Sequence, residues 1–241
     1  MAWTDRTRLI LGEEGLSRLS SSRVVVVGIG GVGAYAAEML VRSGLGHIVL
    51  VDSDEVSESN LNRQLIALHS TLGRPKTDVL RERLLDINPA LDVVCIQEFL
   101  SEDNLHEVLD AYAIDCLVDA IDTLAPKVSL VKYCVERAVP LVSSMGSGGK
   151  LDATAIRATD ISKTYQCPLA RALRRNLHKE GINSGFTAVF SPETPLEGAT
   201  VQEDSRNKRS QVGTVSYLPA VFGCVCAQAV ICRIAGIEVN S

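Results

Sequence analysis

Arg23-Val-Val-Val-Val-Gly28-Ile-Gly30-Gly31-Val-Gly33 is the stretch that decides the fold. Four successive valines are apolar on both parities, so a strand built from them has no solvent face. Such strands lie inside parallel sheets covered by helices on both sides. The glycines follow at once: Gly28, Gly30 and Gly33 in the spacing G-x-G-x-x-G, with Gly31 as a fourth. Ala34–Val41, rich in Ala, Glu, Met and Leu, reads as a helix. A second apolar run, His47–Val51, ends in Asp52, 24 residues after Gly28. Strand, glycine turn, helix, strand and acid in this order suit a nucleotide, with phosphate on the helix N-terminal amides and ribose on the acid. The glycine spacing alone is weak evidence, since such a turn can serve only to let a helix pack close to a strand.

The residues after Asp52 narrow the chemistry. Asp52-Ser-Asp54 leads to Asn60-Leu-Asn-Arg63-Gln64, then to Gly73-Arg-Pro-Lys76 and, further on, Asp119-Ala-Ile-Asp122. A dehydrogenase needs the ribose acid and has no use for Asn, Arg and Lys gathered near phosphates. Nucleotidyl transfer needs them: Arg63 and Lys76 to neutralise triphosphate charge, Asn60 to hold an oxygen, and a carboxylate to hold Mg2+. Asn60 and Arg63 share a face if Asn60–Leu68 is a helical turn. Lys76, just after Pro75, falls in the first turn of a helix continuing through Thr77–Ile87. A lysine is unfavourable there unless an anion neutralises it.

These motifs together resemble the adenylating core of the ubiquitin-activating-enzyme-like (ThiF/MoeB-type) superfamily, whose members activate a carboxylate with ATP. Asp160-Ile-Ser-Lys163-Thr-Tyr-Gln-Cys167-Pro168-Leu-Ala-Arg171 is similar to the insert of the branch that dehydrates threonylcarbamoyladenosine in tRNA. The resemblance runs from about Arg8 to the C-terminal helix. It implies ATP and Mg2+ as cofactors, tRNA as substrate and a homodimer, and it admits a sulfur-relay protein as a further partner. It also implies roles: Gly28, Gly30, Gly31, Gly33, Asp52, Asn60, Arg63, Gln64, Lys76 and Asp122 around the nucleotide, with Asp122 and then Asp54 on Mg2+. Arg8 matches an N-terminal arginine that reaches the partner's ATP, although an arginine at such a place is as readily a solvated side chain.

Working outward, alternating strands and helices continue with a strand at Leu91–Ile96, a helix at Asp103–Tyr112, a strand at Cys116–Ala120, a helix at Ala125–Arg137 and a strand at Pro140–Met145. This is an α/β, doubly wound, mostly parallel sheet of Rossmann-like kind with a small C-terminal extension. The expected organisation is an N-terminal arm over residues 1–22, an ATP-binding adenylation core over 23–150, and an insert and C-terminal helix over 151–241 completing the same domain. Within the last part, Ala153–Ala158 reads as an antiparallel strand, Cys167–Lys179 as a helix and Phe186–Phe190 as a strand. Ser191–Ser210 reads as a polar loop, and Leu218–Ala235 as an apolar helix. The helix Cys167–Lys179 carries Arg171, Arg174 and Arg175 at spacings that put them on one side; with Arg206, Lys208 and Arg209 they are the candidate RNA contacts. A charge cluster of this kind is more often only a solvated face.

At 241 residues and 46% hydrophobic the chain can bury a sizeable core. The expectation is a cytoplasmic protein without a membrane span: no apolar run reaches the roughly 18 residues a span requires. Seven cysteines, an odd number, suit reduced thiols. No C-x-x-C pair occurs, and Cys224-Val-Cys226 has the wrong spacing, so no zinc site is expected. That absence weighs against the leading alternative, an adenylyltransferase acting on the C-terminal Gly-Gly of a sulfur-carrier protein. A nicotinamide-dependent oxidoreductase is disfavoured by Asn60, Lys76 and Asp122 taken together. The net charge of −5 excludes a generally basic nucleic-acid surface but not a local one.

Overall fold

The computed structural model describes residues 2–202 and 210–238. The valine run becomes β1 (Arg23–Val27), in which Val24 to Val27 are all buried. Because side chains alternate across a strand, the run feeds two cores at once. Val24 and Val26 pack on one face of the sheet with α2 (Gly33–Arg42) and α3 (Lys76–Ile87). Val25 and Val27 pack on the other with α4 (Leu105–Leu109) and α5 (Leu124–Glu136). Each fully buried valine contributes roughly 1.5–3 kcal/mol, which favours the interior place that this strand takes in the sheet.

The remaining strands are β2 (His47–Val51), β3 (Asp92–Ile96), β4 (Cys116–Asp119), β5 (Leu141–Ser144), β6 (Arg157–Asp160) and β7 (Thr187–Phe190). They form one seven-stranded sheet ordered β3-β2-β1-β4-β5-β7-β6, parallel except for β6, which pairs antiparallel with β7. The order reverses between β1 and β4, the switch point where such sheets place ligands. The register aligns Val51, Val27 and Asp119 across β2, β1 and β4. The loops that follow these three residues therefore open side by side.

Several elements differ from the sequence reading, each for a local reason. The helix expected over Asp103–Tyr112 shortens to α4, because Asn104 accepts from Ser101 N–H (2.8 Å) and donates to Phe99 O, fixing a loop before it. The strand expected at Ala153–Ala158 begins as a 3-10 turn, Ala153–Ala155. The Asp152 carboxylate accepts from Thr154 N–H at 2.9 Å and offers the backbone a turn in place of a ladder. The segment after β7, expected to be a loop, contributes β8 (Thr200–Gln202), paired with β9 (Ser210–Val212). Asn60–Leu68 is a 3-10 turn at Glu58–Asn60 followed by further turns.

α1 (Asp5–Ser21) is broken at Gly12 (φ 74°), and α6 (Pro168–Lys179) covers the β5–β7 side. α7 (Tyr217–Ala235) is long and apolar enough to cross a membrane by length and composition, contrary to the expectation from apolar runs. Here it is a core helix: Leu218, Phe222, Cys226 and Val230 are buried in the cluster with α2. Its close approach to α2 depends on Gly223, where a Cβ would lie 2.4 Å from Val32 O and 2.8 Å from Tyr35 Cβ. Alanine favours a helix over glycine by about 1 kcal/mol, so Gly223→Ala would stabilise an isolated helix. In this fold it should destabilise by about 1–3 kcal/mol through overpacking. A urea titration should show a lower midpoint; an unchanged or raised midpoint would contradict this packing.

Candidate active site

The glycine turn leaves β1 at Gly28, whose φ is +89° and whose N–H donates to Val51 O at 2.8 Å. A Cβ at Gly28 would lie 2.9 Å from Ala120 O, and one at Gly33 only 1.8 Å from Gly28 O. Only hydrogen fits at either position, so the turn lies directly against the loop after β4. α2 begins at Gly33 with no side-chain cap on its first turn. No side chain competes with an anion at this terminus, where Ala34 N–H makes only a long bond to Gly30 O at 3.3 Å. Arg63 and Pro219 of α7 flank Gly31: a Cβ there would sit 3.5 Å from Arg63 Cγ and 3.0 Å from Pro219 Cβ.

Asp52 follows β2 and faces this turn. Its carboxylate accepts from Ile29 N–H (2.5 Å) and Asp54 N–H (2.8 Å). Burial raises its pKa, opposed chiefly by Lys76. Lys76 is 4% exposed; its Nζ lies 2.7 Å from Asp54 Oδ2 and 4.0 Å from Asp52 Oδ1. The anion that the sequence demands beside Lys76 is thus provided by the protein's own two carboxylates. Asp54 is engaged with Lys76, though its side chain stays 67% exposed.

Asn60 is buried, and its carbonyl accepts from Ser57 N–H at 3.1 Å, closing the 3-10 turn. Arg63 folds back onto Ser59 O (2.8 Å) and Asn62 Oδ1 (2.9 Å). Gln64 lies beneath Gly30, its Nε2 3.9 Å from the place of a Gly30 Cβ, and its Oε1 is buried with no hydrogen-bond partner among the described residues. A buried acceptor without a donor is an open hydrogen-bond site beside the turn. With the open Cβ position at Gly30 and no side-chain cap on α2, the residue types present fit ATP in kind.

Asp122 is exposed on the loop after β4, two residues beyond Ala120, which lies against Gly28. Asp119, at the end of β4, is fully buried: Lys127 Nζ donates to its Oδ2 at 2.6 Å, Ser143 Oγ to the same oxygen at 2.6 Å, and Ile121 N–H to Oδ1 at 3.0 Å. Sequence reasoning missed Lys127. The signal was the one used for Lys76, a lysine in the first turn of a helix. Among the described residues no cluster of three or more His, Cys, Asp or Glu marks a metal site. Mg2+ carried by a nucleotide needs only one or two carboxylates, so Asp122 and Asp54 suffice for it in kind.

Arg8 does not reach its own chain's glycine turn. Its guanidinium pairs with Asp5 (2.9 Å) and Glu13 (3.0 Å). α1 is anchored at the far end of α7, where Arg18 donates to Ile234 O at 3.1 Å. Pro219, at the other end, is roughly 20 Å away along the helix at ~1.5 Å per residue. On α6, Arg171 and Arg175 are exposed, whereas Arg174 donates to Thr164 O at 2.7 Å and so belongs to the fold. Arg206, Lys208 and Arg209 lie outside the described residues. Burial pushes the Cys116 and Cys226 thiols up to about 12, making them inert packing groups. Cys224, on the same helix as Cys226, is exposed.

Lys76 compensates the buried charge of Asp52. In Lys76→Met the Asp52 carboxyl rises further, and its ionised form costs stability at every pH above its folded-state value. That cost fades as pH falls through that value, because a raised folded pKa favours the protonated form. Lys76→Met should therefore destabilise by about 1–3 kcal/mol at neutral pH and by less at about pH 5. Urea unfolding at both values checks this; a penalty that grows on acidification would contradict it.

The ThiF family model matches residues 4–241. The tRNA threonylcarbamoyladenosine dehydratase of Bacillus subtilis is 45% identical over 203 residues, covering 84% of this chain and 78% of that protein. The crystal structure of Escherichia coli tRNA N6-threonylcarbamoyladenosine dehydratase in complex with ATP superposes with a TM-score of 0.88 at 34% identity, over 97% of this chain and 93% of that one. The same E. coli protein in complex with AMP gives a TM-score of 0.87 at 35% identity, over 96% and 93%. With the family matched along nearly its whole length, the chain belongs to the ThiF family.

Proposed function

We propose that this protein is an ATP-dependent dehydratase acting on N6-threonylcarbamoyladenosine in tRNA. The observation that carries the reading is the uncapped glycine turn with the orphaned Gln64 acceptor beside it. It is supported by the likeness to dehydratases of that name and to an ATP complex. The threonyl carboxylate attacks the α-phosphorus, and pyrophosphate leaves. The carbamoyl group then closes onto the acyl carbon and displaces AMP, with net loss of water. Adenylation is needed because a carboxylate oxygen is a poor leaving group and AMP a good one.

The chain's residues divide this work. Gly28, Gly30, Gly31 and Gly33 let the nucleotide approach the backbone, Asp52 receives ribose, and Gln64 supplies an acceptor. Lys76 sits between Asp52 and Asp54, and Arg63 beside Gly31; turned toward phosphate they would offset charge developing in transfer. Asn60 holds the turn that presents Arg63. Mg2+ would sit on Asp122, with Asp54 second. The protein would act as a homodimer: Leu9 and Ile10 of α1 are 84% and 79% exposed, an apolar surface suited to a second copy. Arg8, beside them, is then placed to complete the partner's site. The apolar face of α7 is already covered by α2 within the chain and contributes less than its sequence suggests.

Pyrophosphate release tests the reading: it should require both ATP and threonylcarbamoyladenosine-bearing tRNA. Release driven instead by a carrier protein ending in Gly-Gly would overturn the substrate, and thermal stabilisation by NAD equal to that by Mg-ATP would overturn the nucleotide. Asp122→Asn should leave the fold intact and lower turnover roughly 100-fold or more; near wild-type release by a folded variant would remove Asp122 from the mechanism.

The tRNA phosphates would be met on α6, where Arg171 and Arg175 stand exposed. Arg171→Ala with Arg175→Ala should weaken tRNA binding and flatten its salt dependence by roughly 0.7–0.9 in slope per lost contact, with ATP affinity unchanged. An unchanged slope would show that this helix is only a solvated face.

A further inference from the structure

The loop that carries Asp122 is short, and both its ends are held by one buried ion pair. β4 ends at Asp119 and α5 begins at Leu124, so Ala120 to Thr123 are all that joins them. Asp119 closes the strand end. Lys127, in the first turns of α5, closes the helix end, with its backbone N–H donating to Thr123 O at 3.4 Å. The two side chains meet at 2.6 Å and are both 0% exposed. Ser143 on the neighbouring β5 donates to Asp119 and accepts from Lys127 (3.2 Å), tying the pair to the next strand. Asp119 also holds Ile121 N–H, the amide immediately before Asp122. On its other side the loop rests on Gly28, with no room for a methyl group between them.

Burying two full charges is an expensive way to close a loop. A well-packed apolar pair of similar volume is often as stable or more so. What the charges add is geometry, since a short charge-assisted hydrogen bond fixes distance and direction where apolar contact fixes neither. We infer that Lys127 is a positioning residue: through Asp119 it sets the place of Asp122 against the glycine turn, and so the placement of the metal on the nucleotide. This rests on the reading of Asp122 as the Mg2+ ligand. Ser143 has the same role at one remove.

The test removes both charges together and leaves no unpaired ion behind. Lys127→Met with Asp119→Asn keeps side-chain length, the acceptor for Ile121 N–H and the bond to Ser143. ATP affinity is measured by calorimetry with Mg2+ and with EDTA, and pyrophosphate release is followed in parallel. In the wild type Mg2+ should tighten ATP binding. In the double variant that tightening should largely vanish while affinity in EDTA stays within about twofold, and turnover should fall about tenfold or more. In an Asp122→Asn background the same pair of substitutions should cost less than about twofold, because coupled residues are not additive. A folded variant with wild-type Mg2+ dependence, or equal losses in both backgrounds, would overturn the proposal. If the double variant does not fold, Ser143→Ala, which deletes the hydrogen bonds of this hydroxyl to Asp119 and Lys127 but keeps the ion pair, should show a smaller loss with the same dependence on Asp122; no change would again overturn it. A wild type that binds Mg-ATP but releases no pyrophosphate with tRNA would instead refute the proposed substrate, and the calorimetric comparison would still decide the role of Lys127.

Discussion

The structure depends on a contact between two stretches of backbone. Gly28 and Gly33 have no space for a side chain, because the loop after β4 lies on one and the carbonyl of the first lies on the second. That approach fixes where β1 stops and how α2 leaves it. It also brings the ends of β2, β1 and β4 within one crevice. Asp52, the glycine turn and the loop that carries Asp122 come from distant places in the sequence, and they open side by side because three parallel strands end in register at the switch point.

Around that crevice the protein satisfies its cations before any nucleotide arrives. Lys76 lies among Asp52 and Asp54 and Lys127 on Asp119, while Arg63 donates to the neutral acceptors of Ser59 and Asn62. The two buried lysines carry a desolvation penalty, partly recovered by short hydrogen bonds. A site that must meet a triphosphate benefits from such preorganisation. Cations already confined to the crevice lose less freedom when phosphate replaces or joins their carboxylate partners.

The central fold was legible because it rests on period and punctuation. Four valines without a solvent face, a glycine turn and a second apolar run ending in Asp52 specify β1, α2 and β2 almost to the residue. The motif residues were legible as a set, but their contacts were not. Asn60 proved to be a buried turn-closing amide, and Lys76 to be balanced from within, because both outcomes depend on long-range packing that no local spacing encodes. Arg174 looked like its neighbours Arg171 and Arg175 until Thr164, ten residues away, took its guanidinium. The apolar character of α7 marked a helix with little solvent face, but not what it packs against. Gly223 turns it inward, onto α2. The strand at Ala153–Ala158 slipped because one carboxylate, Asp152, competed locally for the backbone.

The measurement that bears most directly on the central claim follows an oxygen atom. tRNA carrying threonylcarbamoyladenosine with its threonyl carboxylate labelled by heavy oxygen is incubated with the protein and Mg-ATP, and the phosphate products are analysed by mass spectrometry. If the carboxylate attacks the α-phosphorus held at the glycine turn, AMP must leave with one labelled oxygen as the ring closes. Label found in inorganic phosphate, or AMP formed without label while the tRNA is dehydrated, would contradict adenylation by this site.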